Sequence, residues 1–399
     1  DFTFAARLKG HDEPLSTCMY MPLPEEYNIF NPFVHHIESM FLTGKTPYPI
    51  ERTLLTTGIT AAGVESLHQG QQRIDTPHLA ISYQPTGEST YWRANEHEPT
   101  SPLTLSGSVA APASPGTSPR KKAAVIVTHW TKQSHAQHIG DRFLVGYPIN
   151  GRWHHPHLDV VSLYVDQTPE GDQSVQRARD HGFKIYPTIA EALRCGGEKL
   201  AVDCVIVIGE HGDYPENEKG QILYPRYEFF QQVVDVFEAD GRSVPVFNDK
   251  HLSYSTEKAA KMVAASKRLD FPFLAGSSLP VTWRLPPIEL PLGCDIEEVL
   301  AVGFGPSDCY DYHILEAMQS MVERRRGGET GIKAVQLIDG QEVWQAGEDG
   351  RWSKQLLEAA LSRCDIRCDI ADDQSPEDSR LMALIHNGEL PKLAKESAA

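Results

Sequence analysis

Two groups of ionisable side chains follow apolar runs of this sequence, and both could take part in acid–base chemistry. The group at 210–213 (Glu-His-Gly-Asp) comes almost directly after the apolar run 202–208, and the group at 248–251 (Asn-Asp-Lys-His) follows the run 244–247. Carboxylates, imidazoles and an amine can exchange protons with a substrate or bind a metal ion. We therefore expect the two groups to belong to one functional site.

One strand–helix–strand unit would bring these two groups together. The run 202–208 is typical of a buried strand, residues 227–237 carry apolar side chains at helical spacing, and 244–247 indicates a second strand. The strands of such a unit are parallel, and ligands of open parallel sheets bind at the carboxyl ends of the strands. Both polar groups should therefore lie at one edge of a sheet.

Lys250 has the clearest chemical role in the predicted site. Burial can lower the pKa of a lysine, which then exchanges a proton with a substrate hydroxyl. Asp249 and His251 flank Lys250 in the sequence, and we predict that all three are catalytic. The alternative is a surface lysine in an ion pair with Asp249.

Composition excludes several classes of protein. The 399 residues carry a net charge of −17, which argues against binding a nucleic-acid backbone. Apolar runs stay well below the roughly 20 residues of a membrane span. The seven cysteines are scattered and form no disulfide framework, which favours a reducing cytoplasm. We expect a small-molecule substrate, and the sequence leaves open whether the protein is a homo-oligomer.

The order of predicted elements divides the chain into units. Residues 121–280 alternate between strand and helix patterns, which is typical of a Rossmann-like doubly wound parallel sheet in an α/β protein. The pattern predicts an α+β domain over 281–370 and a small α+β segment over 1–98. Residues 99–120 are rich in Pro, Ser and Gly, as in a linker, and 371–399 form a charged tail.

Individual elements can be predicted within these units. The spacing of apolar residues predicts helices over 50–69 and 312–325. Residues 73–83 and 342–345 indicate strands, and residues 381–385 favour a short helix.

Four short motifs of the first unit carry a family resemblance. They are F-V-x-x-I from residue 33, T-G-K from residue 43, E-R-T-L-L-T-T-G from residue 51 and R-I-D-T-P-H-L from residue 73. Together they make residues 20–85 resemble the closing segment of the glucose–fructose oxidoreductase/inositol dehydrogenase (Gfo/Idh/MocA) family. Residues 121–345 resemble the same family more remotely, as a divergent relative that contains its Rossmann part. The resemblance implies an oxidoreductase acting on a sugar or a polyol with NAD or NADP.

The resemblance also implies roles for particular residues. The stretch 244–251 is similar to the family strand that ends in Glu-Lys-Pro, so Lys250 takes the place of the active-site lysine and serves as acid and base. Asp249 then stands for the glutamate and His251 for the proline. His313 lies roughly where the family carries its catalytic histidine.

A nucleotide cofactor would have to bind at the turn after the first strand of the sheet. Dinucleotide folds carry glycines at this turn, so that backbone amides approach the diphosphate. This sequence has bulky residues there instead. The predicted cofactor-binding residues are Thr128, His129, Lys132, Glu210 and Asp166, the last at a position suited to a ribose. The alternative is a Rossmann scaffold that has lost its nucleotide.

Histidines clustered with carboxylates raise the alternative of a divalent metal ion. Neutral imidazole and carboxylate suit Zn²⁺, Mn²⁺ or Fe²⁺. The candidate sets are His135, His138 and Asp141; His154, His155 and His157; and Glu210, His211 and Asp213. Because no two of these sets are paired in the sequence, we assign no metal ligands.

The predicted substrate-binding residues are a mixture of polar and aromatic side chains. His211, Asp213, Tyr214, Trp283 and Arg284 could contact the ring and oxygens of a sugar. Two other functions stay open besides an oxidoreductase. One is a metal-dependent lyase or hydrolase on the same scaffold, and the other is a non-catalytic binding or assembly protein.

Overall fold

The computed structural model describes residues 2–21, 28–93, 119–305, 307–364 and 380–386. The predicted linker 99–120, apart from its last two residues, and most of the predicted tail 371–399 lie outside these ranges. Within the described residues, no helix is both long and apolar enough to cross a membrane.

Strands and helices alternate through the middle of the chain. The strands are β1 (Phe2–Leu8), β2 (Leu15–Tyr20), β3 (Ile74–Asp75), β4 (Lys121–Val127), β5 (Tyr147–Ile149), β6 (Arg152–His154), β7 (Leu158–Val165), β8 (Lys184–Ile185), β9 (Cys204–Ile208), β10 (Val246–Asp249), β11 (Phe273–Gly276), β12 (Trp283–Leu285), β13 (Ile296–Val302), β14 (Ile332–Asp339) and β15 (Arg380–His386). The helices are α1 (Phe30–Thr43), α2 (Ile50–His68), α3 (Asp141–Val145), α4 (Ser174–His181), α5 (Ile189–Arg194), α6 (Arg226–Asp240), α7 (Thr256–Arg268), α8 (Tyr312–Val322), α9 (Gln341–Glu348) and α10 (Lys354–Leu361).

Six parallel strands form the central sheet, in the order β11-β10-β9-β4-β7-β8. Counted along the chain from β4, this is the 3-2-1-4-5-6 order of dinucleotide-binding folds, and its direction reverses between β4 and β9. The predicted Rossmann-like α/β fold is confirmed. The side chains of β9 are buried along its whole length, as expected for a parallel strand covered by helices on both faces.

The first unit of the chain completes a second, antiparallel sheet in the order β12-β2-β1-β13. Strand β1 pairs with β13 and strand β2 with β12, so residues separated by almost 300 positions are neighbours. Phe4, Phe33, Val125 and Val335 belong to one hydrophobic cluster. Apolar burial therefore joins the first unit to both later units, while the division into domains stays a prediction.

Several local predictions were wrong, for reasons of context. Residues 73–83 form only the short strand β3 and a 3₁₀ turn at Pro77–Leu79. Residues 342–345 lie in helix α9, because Val343 packs beside Ala346 one turn later. Residues 381–385 lie in strand β15, which pairs with β14; a short apolar run does not by itself distinguish the two states. The helices predicted over 50–69 and 312–325 are confirmed as α2 and α8.

Candidate active site

The candidate site lies where the strand order reverses, at the carboxyl ends of β4 and β9. Thr128 directly follows β4, and its hydroxyl donates a hydrogen bond of 2.6 Å to the carbonyl of Glu210, which follows β9. Thr128 is fully buried. Its side chain joins two turns of the protein, and its predicted cofactor contact stays a prediction.

Glu210 is the centre of a buried ionic cluster. Its carboxylate accepts a hydrogen bond of 2.7 Å from the Lys250 ammonium and pairs with the Arg226 guanidinium. Glu210, Lys250 and Arg226 are 4%, 3% and 1% exposed. Removing three charges from water is costly, and only their mutual pairing offsets that cost.

This pairing decides the charge on Lys250. Burial acts to lower the pKa of Lys250, but the Glu210 carboxylate and Cys309 outweigh it and raise that pKa above its ordinary value. Burial likewise acts to raise the pKa of Glu210, yet Lys250 and Arg226 hold it well below its usual range. The expected net lowering of the Lys250 pKa is therefore wrong, because these partners outweigh burial. Lys250 is an ammonium at neutral pH, which suits a hydrogen-bond or proton donor better than a base.

The backbone at Lys250 is held in an uncommon conformation. Asn248 and Asp249, predicted as loop residues, are the last residues of β10, and Lys250 follows with φ of 60°. Its amide donates a hydrogen bond of 3.1 Å to the carbonyl of Gly276 at the end of β11. A non-glycine residue in the left-handed region is strained, and such strain clusters at functional sites. Here the turn directs the ammonium toward Glu210.

His251 is a buried partner of Arg226 rather than an exposed catalytic group. Arg226 donates to Nε2 of His251 over 3.1 Å, so the ring proton is on Nδ1. That Nδ1 is buried and has no hydrogen-bond partner in the described part of the chain. Burial and the Arg226 charge hold the pKa of His251 well below its ordinary value, so the imidazole is neutral.

A chain of imidazoles links three turns of the sheet edge. Nδ1 of His135 donates a hydrogen bond of 2.7 Å to the carboxylate of Asp249. The ring of His135 packs edge-on against His211, with centroids 5.4 Å apart. His211 lies in turn 6.0 Å from His129, which follows β4. Burial lowers the pKa of His211 to about 4, so the His211 imidazole is neutral at pH 7.

His313, in helix α8, reaches the same edge. Its Nδ1 is 2.6 Å from the hydroxyl of Ser277, directly after β11. Burial, together with the Lys250 charge, holds the pKa of His313 well below its ordinary value. The turn before His313 brings Cys309, whose sulfur lies 2.7 Å from the Lys250 nitrogen. The structure thus places His313 near Lys250, and its role stays a prediction.

Asp166, the acidic residue at the position suited to a ribose, follows β7 at the far side of the sheet edge. Asp166 is exposed and accepts hydrogen bonds from the hydroxyls of Tyr164, at 2.6 Å, and Tyr214, at 2.7 Å. Asp213 is held through its backbone by Gln167. Tyr214, predicted to contact substrate, therefore positions the acid, and Asp166 remains accessible to a ligand.

The turn after β4 differs from a dinucleotide cradle. The amide of Trp130 donates to Asp172 and that of Gln133 to the side chain of Gln137. The Trp130 ring is buried and stacks on Phe183. The Trp130 side chain thus points inward, and the amides of Trp130 and Gln133 are used within the protein. The carboxylate of Asp166 and the side chain of Lys132 are both exposed, so a ligand could contact them.

The contacts of Trp283 and Arg284 do not place these residues at the edge of the central sheet. Both lie in β12, where Trp283 pairs with Tyr20 of β2. Arg284 is buried and is bound by the carboxylate of Glu289 and the hydroxyl of Ser320. Arg284 thus has interior partners, and the substrate contacts of Trp283 and Arg284 stay predictions.

The metal-ligand sets suggested by the sequence do not assemble. Asp141 pairs with Arg177 instead of the neighbouring histidines, and His138 stacks on Phe30 at 5.0 Å. Glu210 is already neutralised by two cations. Within the described ranges, the group of side chains that could hold a metal lies elsewhere and consists of His35, Glu38 and His154.

Two central residues were missing from the predicted catalytic set. Arg226 begins α6 and compensates the charge of Glu210, and Cys309 contacts the Lys250 ammonium. A glutamate at the end of a fully buried strand requires a cation, which could have signalled a partner for Glu210. The identity of that partner depends on how α6 packs.

Parts of this chain are similar to solved structures of low sequence identity. No family model matches this chain, and no curated protein matches it. Solved structures that it is similar to include GenD2 from gentamicin A biosynthesis in complex with NAD, at 18% identity, TM-score 0.28 and coverage of 42% of this chain and 37% of that chain. A Gfo/Idh/MocA family oxidoreductase from Vibrio cholerae is similar at 16% identity, TM-score 0.26 and coverage of 39% and 38%. The UDP-N-acetylglucosamine 3-dehydrogenase GnnA from Acidithiobacillus ferrooxidans is similar at 10% identity, TM-score 0.25 and coverage of 39% and 37%.

This chain therefore spans less than two-fifths of the length of each of these three structures. The solved structures with similar folds thus include Gfo/Idh/MocA family oxidoreductases. These similarities concern the fold alone.

Proposed function

We propose that this protein is an oxidoreductase-like enzyme that acts on a hydroxyl-bearing small molecule, such as a sugar or a polyol. The observation that carries the proposal is the buried Lys250–Glu210 pair at the point where the strand order of a Rossmann-like sheet reverses. Perturbed, desolvated ionic groups cluster at functional sites. This position is also where open α/β sheets bind their ligands.

Each residue of the cluster has a distinct role in this proposal. In the direction of carbonyl reduction, Lys250 hydrogen-bonds the reacting oxygen and donates a proton to it as the carbon accepts a hydride; in the direction of hydroxyl oxidation, the neutral amine of Lys250 takes that proton back. Glu210 keeps Lys250 charged, as the raised pKa of Lys250 shows. The substrate oxygen would take the place of the Cys309 sulfur beside the ammonium. His313, a neutral imidazole held by Ser277, orients the same oxygen.

A nicotinamide nucleotide is the redox partner that this proposal requires. When bound, it supplies the acceptor or donor of a hydride. The Asp166 carboxylate would hold its ribose, and the Lys132 ammonium would contact its phosphates in place of backbone amides. We expect weaker binding than in a fold with a glycine-rich turn, because the amides after β4 are already used.

The test is a turnover screen with sugars and polyols in the presence of NAD and NADP, followed by nicotinamide absorbance. On an active substrate, Lys250→Met should lower turnover by roughly 10²–10⁴-fold, as for loss of a general acid. The matched control is Lys261→Met, which removes an exposed lysine of α7. Full activity of Lys250→Met, or equal losses in both variants, would remove Lys250 from the mechanism.

A non-catalytic binding protein is the second candidate. It is favoured by the internal partners of Lys250, because the Lys250 ammonium already contacts both Glu210 and Cys309. This candidate predicts that a sugar or polyol binds without any change in nicotinamide absorbance. Calorimetric binding together with the turnover screen separates the two functions.

A further inference from the structure

A second cluster of ionisable side chains lies away from the candidate active site, between α1 and the hairpin of β5 and β6. His35 and Glu38 are three residues apart on α1, so their side chains share one face of the helix. His154 ends β6 and faces them. One ligand atom from each of the three residues lies within 4.8 Å of the other two.

The carboxylate of Glu38 is already oriented for a further ligand. One of its oxygens accepts a hydrogen bond of 2.7 Å from the amide of His157, and the other lies 2.6 Å from Nε2 of His154. Glu38 is fully buried. Hydrogen-bond partners that orient a metal-binding carboxylate are typical of metal sites. A buried carboxylate beside imidazoles also favours a cation nearby.

The buried imidazole of His35 also points to a ligand at this cluster. Its residue is 6% exposed, and its Nδ1 is buried without a hydrogen-bond partner in the described part of the chain. Its ring is fixed edge-on against Trp92, with centroids 5.2 Å apart, and against His154 at 5.7 Å. An orphaned imidazole nitrogen in the interior is costly. A metal ion would give that nitrogen a ligand bond.

We propose that His35, Glu38 and His154 form a binding site for a divalent transition-metal ion, and that Zn²⁺ is the ion that this donor set fits best. Two imidazoles and a carboxylate are an established set for zinc, with bonds of about 2.0–2.2 Å. Such bonds place ligand atoms about 3.3 Å apart, so small side-chain rotations complete the site. The side chain of His154 is 20% exposed, which leaves an entry path.

The site would fasten α1 to the β5–β6 hairpin. Tyr147 lies opposite His154 in that hairpin and packs on its ring at 5.2 Å. Because the ion would bind the folded protein and not the unfolded chain, it should stabilise the fold in proportion to its concentration. This role does not depend on the proposed oxidoreductase function.

The test uses the full chain, stripped with a chelator and titrated calorimetrically with Zn²⁺ alone. We expect one ion per chain, and the melting temperature should rise with Zn²⁺. Co²⁺ should give the visible absorption of a four-coordinate site. His154→Asn should weaken Zn²⁺ binding at least 100-fold, whereas His155→Asn, which changes the exposed neighbouring histidine, should bind as the wild type does.

Glu38→Gln provides a second variant, with circular dichroism as the check that each variant folds. Absence of stoichiometric Zn²⁺ binding by the wild-type chain would overturn the proposal. Equal affinity of the folded His154→Asn and His155→Asn variants would overturn it as well, and the cluster would then be a hydrogen-bonded interior network.

Discussion

The ammonium of Lys250 and the carboxylate of Glu210 lie 2.7 Å apart, and both side chains are almost completely removed from water. Glu210 follows β9 and Lys250 follows β10, so the pair joins two neighbouring strands at their carboxyl ends. Arg226 is a second cation on the same carboxylate. The cluster therefore carries two positive charges and one negative charge, and its members are not equivalent.

Removing Glu210 should lower the free energy of unfolding more than removing Lys250. Glu210→Gln removes the carboxylate that pairs with both Lys250 and Arg226 in the interior, which should cost about 3–5 kcal/mol of unfolding free energy. Lys250→Met leaves Glu210 still paired with Arg226 and should cost about 1–3 kcal/mol. Urea unfolding at neutral pH measures both values. An equal or larger loss for Lys250→Met would show that Arg226 does not compensate Glu210.

Asp249 should matter less than Lys250 for turnover. Its carboxylate accepts a hydrogen bond from His135, and Asp249→Asn retains an acceptor while removing the charge beside the amine. We expect turnover to fall by about tenfold or less, equivalent to about 1.4 kcal/mol. Steady-state rates on the same substrate as Lys250→Met test this. A loss as large as that of Lys250→Met would place Asp249 in the chemical step.

Acid should destabilise the protein partly through His138. Burial lowers the pKa of His138 from 6.5 to about 3. Between pH 6.5 and pH 3, His138 is protonated in the unfolded chain but neutral in the folded protein. The free energy of unfolding therefore falls as the pH decreases through this range. At pH 4.5 this residue alone should contribute a loss of about 3 kcal/mol.

The variant His138→Phe keeps a ring against Phe30 and removes the titrating group. Its unfolding free energy should fall less steeply between pH 7 and pH 4.5 than that of the wild type. His68→Gln, at an exposed position at the end of α2, is the control and should follow the wild-type slope. Parallel slopes for all three proteins would contradict the assignment to His138.

Asp166 should control nucleotide affinity if its carboxylate holds a ribose. Asp166→Asn should weaken NAD or NADP binding about tenfold, as expected for a charge-assisted hydrogen bond of roughly 1.5 kcal/mol. Asp180→Asn alters an exposed aspartate of α4 and should have no effect. Isothermal titration measures both. Unchanged affinity in Asp166→Asn would place the nucleotide, if bound, away from β7.

The Pro-, Ser- and Gly-rich stretch 99–120 should be the first site of cleavage by a protease. Its composition buries little apolar surface, and such segments are preferred sites of nicking. Limited proteolysis followed by mass spectrometry should give two fragments divided there. Because β1 pairs with β13, we expect the fragments to remain associated on gel filtration. Initial cleavage elsewhere would contradict the linker prediction.

The sequence by itself determined the fold class and the position of the site along the strands. Apolar runs such as 202–208 and helical spacing in α2 depend on local pattern, and both the strand and the helix are found. Polar residues after parallel strands must share an edge, so Glu210, His211 and Lys250 could be grouped without coordinates. Elements of ambiguous pattern, such as 342–345, were decided by packing against distant residues.

Only the tertiary structure decided which charges meet and what protonation follows. Arg226 reaches Glu210 through the packing of α6, and the turn before α8 brings Cys309 to Lys250. Glu210 and Cys309 together reverse the expected direction of the Lys250 pKa. In the same way, His154 lies more than 110 residues after His35 and Glu38 in the sequence, and packing of the β5–β6 hairpin against α1 brings the three residues together. Electrostatic interactions depend on distance and burial rather than on order along the chain, so neither cluster could be read from the sequence.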